Sequence, residues 1–260
     1  MTQYVEYSHD VDAKHASNIG EESVSNPVQA VKELVKNAYD ADAENVWVEL
    51  VGHDAQDVSL KEITKITVRD DGYAMTDEDF KTKFFRIGTK DKIDRPSSPI
   101  HGRRVVGEKG MGHYAAKRLG SVIKATSSPI DYEGREASQS MDKTITVTLD
   151  WREFKPGLDF TEIKSKGEIA ERNLDQGHGL LLEISELTDT KWSVDDIRQL
   201  RIDLAMMIMP KELRDKGDDD NFTISITAPG LPDDEQGPIS EDSTGLNMAL
   251  FKLTATATYD

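Results

Sequence analysis

Three polar side chains on one predicted helix have the types and spacing of a ligand-binding set. Glu33, Asn37 and Asp40 follow one another at i, i+4 and i+7 within residues 31–43, VKELVKNAYDADA. At about 100° per residue they share one arc of the helix, next to the apolar face that must meet the core. A function for this arc requires partner groups from other segments. Without such groups it is a solvated polar face.

Two other segments supply candidate partners. Residues 66–80, ITVRDDGYAMTDEDF, read as a strand that ends in Asp70 and is followed by Gly72. An aspartate just past a strand end can lie on the floor of a pocket, although a plain Asp-Gly turn is the alternative. Residues 107–120, GEKGMGHYAAKRLG, read as a Gly-rich loop followed by a helix, which can offer backbone amides to an anion. The pattern matches neither the P-loop nor the Rossmann fingerprint.

The overall composition narrows the class of protein. The 260 residues, 37% apolar and 31% charged, suit one large globular domain or one and a half. No cysteine is present, which excludes disulfides and thiol metal sites. No apolar run approaches the roughly 20 residues of a membrane span, and the N-terminus lacks an export signal. We therefore expect a cytoplasmic protein without a membrane partner.

The charge is strongly acidic but uneven. A net charge of −17 does not indicate nucleic-acid binding by this segment, although further domains could supply it. Residues 81–118, in contrast, hold eleven Lys and Arg against three acids, a local balance of +8. This stretch is either a solvated basic surface or part of a pocket for a small phosphorylated ligand.

The order of predicted elements favours an α+β fold. A helix begins after Ser25-Asn26-Pro27 and runs to about Ala43, and Thr76–Asp79 resembles a capping box. A second amphipathic helix covers residues 193–209. Strands are predicted at residues 45–51, 63–69, 121–126, 144–151, 180–184, 222–228 and 249–259. Helices and strands alternate irregularly, so we expect a mixed sheet with helices on one face.

Together, in this order and at these spacings, the three segments resemble the GHKL ATPases, the group of gyrase, heat-shock chaperones, histidine kinases and MutL. The matching residues are ELVKNAYDA from Glu33, DDGYAM from Asp70 and GEKGMG from Gly107. The likeness is greatest to bacterial ATP-binding proteins near the MutL, chaperone and MORC branches. It implies a Bergerat-type two-layer sandwich at residues 1–205, followed by the start of a transducer-like second domain at residues 210–260.

The resemblance also implies a role for each matching residue. Glu33 would be the general base that activates water, Asn37 would bind Mg²⁺, and Asp40 would buttress this face. Asp70 would accept a hydrogen bond from the adenine amino group, in a pocket lined by Gly72 and Met75. In a lid over about residues 86–112, Gly110, Met111 and Gly112 would offer backbone amides to the phosphates, and Lys90 or Lys109 could reach a phosphate. Thr89 stands beside Lys90 in the segment that leads into the lid, and Gly107 opens the third motif. His113 could lie near the phosphates, or it could have a surface or capping role.

Two positions depart from the family pattern. Ala74 stands where the second motif usually carries glycine. In residues 177–184, GHGLLLEI, Leu180 occupies the position at which the family often has a threonine that faces adenine.

The resemblance implies Mg²⁺-dependent binding and slow hydrolysis of ATP, coupled to the closure of a homodimer. One alternative is an ATP-binding dimerisation switch that needs no turnover. Another is a kinase relative of the pyruvate-dehydrogenase-kinase type, which the lack of an associated helical bundle disfavours. Glu33 distinguishes the hydrolase from the switch, because only the hydrolase needs a base at this position.

Overall fold

Helix α1, Pro27–Asp40, begins at the cap that the sequence predicts. The computed structural model describes residues 24, 26–54, 59–86, 96–106, 112–135, 141–172, 177–208 and 221–239. Asn26 Oδ1 accepts the N–H of Gln29 at 2.8 Å, and Pro27 occupies the first turn. The helix ends at Asp40, before the predicted end at Ala43, and Asp42 already has a left-handed φ of 59°.

One mixed sheet of nine strands forms the second layer. The seven longer strands are β1 Asn45–Asp54, β2 Leu60–Asp70, β3 Gly120–Ser128, β4 Lys143–Asp150, β5 Lys166–Glu171, β6 Gly179–Leu187 and β8 Thr223–Thr227. Two shorter ones are β7 Lys191–Ser193 and β9 Gly237–Pro238. The strand order is β5-β4-β3-β6-β2-β1-β8-β9, with β7 beside β2. Among the strands that the structure describes, only β1 and β8 pair in parallel, and the other pairs are antiparallel.

The helices cover one face of this sheet. Along β1, Val46, Val48 and Leu50 are buried, whereas Trp47 and Glu49 between them are exposed on the opposite face. This alternation is that of a strand with one covered side. Helices α1, α3 (Gly112–Leu119) and α4 (Val194–Ala205) form the covering layer, with α1 in contact with both others. The predicted α+β fold, with helices on one face of a mixed sheet, is confirmed.

The shorter helical elements begin at side-chain caps or strand ends. Helix α2, Asp77–Asp79, begins at the predicted capping box of Thr76 and continues as a π-helical turn, Phe80–Phe84. Helix α4 begins at a second capping box, Ser193 with Asp196. Single 3₁₀ turns occur at Trp151–Glu153, Phe160–Glu162 and Asp233–Glu235. In the ranges described, no helix has the length and apolar character needed to cross a bilayer.

Residues 221–239 extend the same sheet and the same core. Strand β8 lies beside β1, and its Ile224 and Ile226 are fully buried in the main hydrophobic cluster. The division of the chain at residues 205–210, with a second domain at residues 210–260, stays a prediction. The strand expected at residues 249–259 lies outside the described residues.

Truncation of a β8 core residue tests whether this strand belongs to the unit that unfolds cooperatively. We expect Ile224→Ala to lower the free energy of unfolding by about 2–4 kcal/mol, because a fully buried aliphatic side chain is removed. Thermal and denaturant unfolding should remain a single transition. The control is Thr227→Ala on the same strand, where the side chain is exposed. An Ile224→Ala protein with a separate, early transition would show that β8 folds independently of the sheet.

Candidate functional site

The polar arc of α1 lies at the border of the core, as its spacing predicts. Glu33 Oε1 accepts hydrogen bonds from Gln29 Nε2 at 2.8 Å and from Lys36 Nζ at 2.7 Å. Both of these described bonds reach the same oxygen of the Glu33 carboxylate. Asn37 is partly buried one turn further along the helix. The arc therefore presents a held carboxylate and an amide side by side.

Asp40 is buried and holds a neighbouring segment. Its Oδ1 accepts the backbone N–H of Val106 at 2.8 Å, across 66 positions of sequence. Val106 is the last described residue before Gly107, the first glycine of the third motif. The carboxylate therefore fixes the point at which the chain enters the Gly-rich loop.

Asp70 ends β2 with a carboxylate that is almost fully withdrawn from solvent. Only 5% of the residue is exposed, and its Oδ1 accepts the N–H groups of Gly72 at 2.9 Å and Leu180 at 3.3 Å. Burial raises the pKa of this carboxyl from 3.8 to about 6, although these two hydrogen bonds and His178 oppose the rise. Both of these described bonds reach Oδ1, and neither reaches Oδ2.

The adjacent Asp71 has a structural role that cannot be predicted from the sequence. Its Oδ1 accepts the backbone N–H groups of Glu44 and Asn45 at 2.9 and 2.8 Å, and its Oδ2 accepts Asn45 Nδ2 at 2.8 Å. This carboxylate therefore ties the end of β2 to the start of β1. In the described part of the chain, hydrogen bonds reach both oxygens of Asp71 but only Oδ1 of Asp70.

Two glycines let the backbone close in around Asp70. A Cβ on Gly72 would lie 2.4 Å from the carbonyl oxygen of Ala41, at the end of α1. A Cβ on Gly179, which has φ +117°, would lie 1.9 Å from the carbonyl oxygen of Asp70. Neither contact is possible for a larger residue. Leu180, the departure on β6, thus approaches Asp70 through its backbone N–H, and His178 Nδ1 lies 3.1 Å from the carbonyl oxygen of Gly72.

The backbone conformation after Gly72 bears on the other departure from the family pattern, Ala74. Ala74 has φ +54°, in the left-handed region that favours glycine. The next residue, Met75, is held from β3, because its N–H donates to Ser127 Oγ at 2.8 Å and its carbonyl accepts from the same hydroxyl at 2.7 Å. Ser127 is fully buried, at a position of β3 whose neighbours on the same face are apolar. A serine in such a row of apolar residues can be recognised in the sequence.

Arg135 fixes the rest of this loop, and no sequence pattern identifies it. Its guanidinium donates to the carbonyls of Tyr73 at 2.8 Å and Ala74 at 2.9 Å, and forms an ion pair with Asp79 at 2.7 Å. For Asp79, burial acts to raise the pKa, but hydrogen bonds from Thr76, Lys83 and Arg135 outweigh it and lower the pKa to about 2. The Asp70–Met75 motif is thus held from β2, β3 and Arg135 together.

The loop of the second motif and the helix that follows the third motif both lie against α1. The loop after Asp70 is bonded to the end of α1 through the Tyr73 N–H and the Ala41 carbonyl at 3.0 Å, and α3 packs along the same helix. Gly112 and His113 begin α3, but nothing is described of their side chains. Thr89, Lys90, Gly107, Lys109, Gly110 and Met111 lie outside the described residues. Their predicted approach to phosphates stays a prediction.

No cluster of three or more His, Asp or Glu side chains in the described ranges could hold a metal ion. Magnesium does not require such a cluster, because it usually keeps several waters and is bound through one or two protein oxygens and the phosphates of a substrate. The single amide oxygen of Asn37 on the polar arc fits this mode of binding.

The burial of Asp70 can be tested by measuring how its substitution changes the free energy of unfolding. Because the pKa of Asp70 is raised above 3.8, the folded protein retains a proton that the unfolded chain has released. The stabilising effect of that proton is complete below about pH 4 and is lost as the pH rises through 6. We expect Asp70→Asn to raise the free energy of unfolding by about 3 kcal/mol at pH 7 and to change it little at pH 4.

The matched control is Asp71→Asn. The new amide N–H₂ group would oppose N–H donors of Glu44 and Asn45 that now bind the carboxylate. We therefore expect Asp71→Asn to lower the free energy of unfolding by about 1–3 kcal/mol at pH 7. The measurement is denaturant unfolding of both variants and the parent chain at the two pH values. Equal effects of the two substitutions would contradict the burial of an ionised Asp70.

The chain is similar to known proteins over part of its length. A curated protein of Herpetosiphon aurantiacus, named "Putative type II restriction enzyme HgiDII", is 33% identical over 111 residues, which are 43% of this chain but only 16% of that protein. A solved structure, the Aquifex aeolicus MutL ATPase domain complexed with ADP, matches with a TM-score of 0.42 and 15% identity, over 79% of this chain and 60% of that one. The chain thus spans less than two thirds of either protein.

The family match covers more of the chain. The sequence family described as histidine kinase-, DNA gyrase B- and HSP90-like ATPase matches residues 24–167, which include all three motifs and more than half of the chain. The chain therefore belongs to the histidine kinase-, DNA gyrase B- and HSP90-like ATPase family.

Proposed function

We propose that this domain binds ATP together with Mg²⁺, hydrolyses it slowly, and forms a closed homodimer while ATP is bound. The observation that carries the proposal is that the loop of the second motif and the helix that follows the third motif both lie against α1, with Asp70 buried at the end of β2. Family membership supports nucleotide binding in general. The residue roles, the metal, the turnover and the dimer are proposals.

In this proposal Asp70 recognises the adenine ring. Oδ2 accepts a hydrogen bond from the exocyclic amino group, while Oδ1 stays bonded to the N–H groups of Gly72 and Leu180. Exclusion of water strengthens this bond relative to the same contact at the surface. A base without an amino group at that position leaves the carboxylate unpaired, so adenine is preferred over guanine and hypoxanthine.

Glu33 acts as the general base in the proposed hydrolysis. Gln29 and Lys36 hold its Oε1, and Oε2 accepts a proton from the water that attacks the terminal phosphate. Asn37 and substrate oxygens would hold Mg²⁺, which supplies charge neutralisation for the phosphates when it is bound. Gly107, Lys109, Gly110, Met111, Gly112 and His113, with Thr89 and Lys90 of the lid, are the proposed phosphate contacts.

The proposed setting of the domain is the cytoplasm, as part of a longer protein. The Herpetosiphon relative carries its matching region in 16% of its length, which supports a role as one module among several. The local +8 balance of residues 81–118 supports a phosphate ligand rather than DNA, because the chain as a whole carries a net charge of −17. The process that the module serves is set by its downstream domains.

Two substitutions separate binding from turnover. Asp70→Asn should raise the Kd for ATP in the presence of Mg²⁺ on the order of 100-fold, because its amide would oppose the adenine amino group. Glu33→Ala should leave the Kd nearly unchanged and lower kcat by about 10²-fold or more. Calorimetry and phosphate release measure the two quantities.

Exposed acids provide the controls for these variants. Asp142→Asn and Glu171→Ala alter acidic side chains that are 77% and 85% exposed, and both should bind and hydrolyse ATP as the parent chain does. If Glu33→Ala retains the turnover of the parent chain, Glu33 is not the base. If the parent chain binds ATP without any turnover, the domain is a nucleotide-gated switch instead of a hydrolase.

The proposed dimer is tested by sedimentation. With Mg²⁺ and a non-hydrolysable ATP analogue, the 29.0 kDa chain should sediment at about twice its mass, and with ADP it should return to the monomer. Asp70→Asn, which cannot hold the analogue, is the control that should stay monomeric. A mass that does not respond to the analogue, under conditions in which calorimetry shows it bound, would contradict the dimer.

A further inference from the structure

The segment before the Gly-rich loop, residues 96–106, has an internal structure of its own. Ser97 and Arg104 form an antiparallel bridge, and the N–H of Val105 donates to the carbonyl of Pro96 at 3.0 Å. The segment is therefore a closed turn that can be held as a unit. Its position relative to α1 depends on the side chains that attach it.

Asp42 attaches this turn to the end of α1. Its Oδ1 accepts from the Ser98 hydroxyl and from the N–H of His101 at 3.1 Å, and its Oδ2 accepts the N–H of Ile100 at 2.8 Å. Asp42 is only 4% exposed and has φ 59°, a conformation that is costly for most residues other than glycine. A carboxylate with three donors, on a strained backbone, is a local arrangement that the surrounding structure must stabilise.

Arg103 attaches the same turn from its other side. Its guanidinium donates to the carbonyl of Ala43 and lies 4.8 Å from the centre of the Tyr39 ring and 5.5 Å from that of Phe222. The two rings are themselves in edge-to-face contact at 5.0 Å. Because Arg103 is only 6% exposed, its contacts are formed away from solvent. It joins the turn both to α1 and to the residue just before β8.

These attachments determine where the chain enters the third motif. Val106 is the last residue of the turn, and its N–H donates to Asp40 Oδ1, one helical turn beyond Asn37. Helix α3, which begins at Gly112, packs on the same helix. Both ends of the stretch that carries the Gly-rich motif are thus fixed to the helix that carries Glu33 and Asn37.

We propose that Asp42 and Arg103 are positioning residues of the ATP site: by fixing residues 96–106 to α1, they set how tightly the triphosphate is held without touching the nucleotide. The inference rests on the proposed function. It predicts an effect on phosphate binding that is separate from adenine binding, because Asp70 lies on β2 and is held by different residues.

The decisive variant is Asp42→Gly. The substitution removes the side chain with its carboxylate, and glycine adopts the left-handed backbone without strain. We expect the Kd for ATP to rise about tenfold or more, whereas the Kd for adenosine changes less than about twofold. Asp42→Asn keeps the Oδ1 acceptor and tolerates the same backbone, so it should restore part of the ATP affinity. Arg103→Lys keeps the charge but loses the planar stacking group, and should show the same selective loss of ATP binding.

Glu186→Gly is the matched control. Glu186 is another acid with a left-handed φ, 51°, but it is exposed and lies at the end of β6. Its substitution should leave both affinities unchanged. The inference is overturned if Asp42→Gly and Arg103→Lys bind ATP like the parent chain, or if they lose ATP and adenosine equally, as a general loss of structure would cause. A parent chain that binds neither ligand would instead overturn the proposed function, and the inference with it.

Discussion

Helix α1 buries one face against the sheet, and this burial fixes the rotation of the helix about its axis. Each fully buried aliphatic side chain contributes roughly 1.5–3 kcal/mol, so a rotation that exposed Val31, Leu34 and Val35 would be strongly unfavourable. The arc of Glu33, Asn37 and Asp40 is thereby held toward the segments that surround the helix. The loop after β2, the turn at residues 96–106 and α3 are all attached to α1, so their relative positions follow from that one packing arrangement.

Unfavourable local features are concentrated in the same region. Asp70 has a buried carboxylate whose pKa is raised to about 6, and Ala74 and Asp42 have left-handed backbones without being glycine. Each is compensated by neighbours: Ser127 and Arg135 hold the loop around Ala74, and three donors meet Asp42. Such features persist only where the surrounding structure over-determines them, and they are typical of sites that bind ligands. The burial of apolar side chains in the core offsets the unfavourable free energy of these positions.

The sequence predicts most of what depends on local pattern. The start of α1, the capping box at Thr76 and the strands at residues 45–51 and 63–69 are short-range signals, and the structure has each of them. The end of α1 is predicted too late, because the left-handed turn at Asp42 leaves no mark in the hydrophobic pattern. Contacts between distant segments are not predictable in this way. Arg135 and Asp79 are 56 positions apart, and nothing in either stretch indicates the ion pair.

The same limit applies to the site. The three motifs identify Asp70 through a resemblance, but the distinction between Asp70 and Asp71 depends on which carboxylate reaches Glu44 and Asn45 in space. Ser127 is the exception, since a hydroxyl at an inward position of an alternating strand is visible in sequence. The parallel pairing of β1 with β8 could not have been foreseen, because parallel neighbours need no proximity in the chain.

That parallel pairing has a consequence for how the protein emerges from the ribosome. Residues 45–49 pair with residues 223–227, and the intervening chain takes roughly 10 to 35 s to translate at ordinary rates. During this interval one edge of β1 has no native partner, although its other edge can already pair with β2. An open strand edge is a template for pairing with the wrong chain. The register of β1 against β2 shifts between Val51 and Gly52, so the pairing of this strand is irregular just beyond residues 45–49. Irregular pairing is among the features by which natural proteins protect a strand edge from a neighbouring chain.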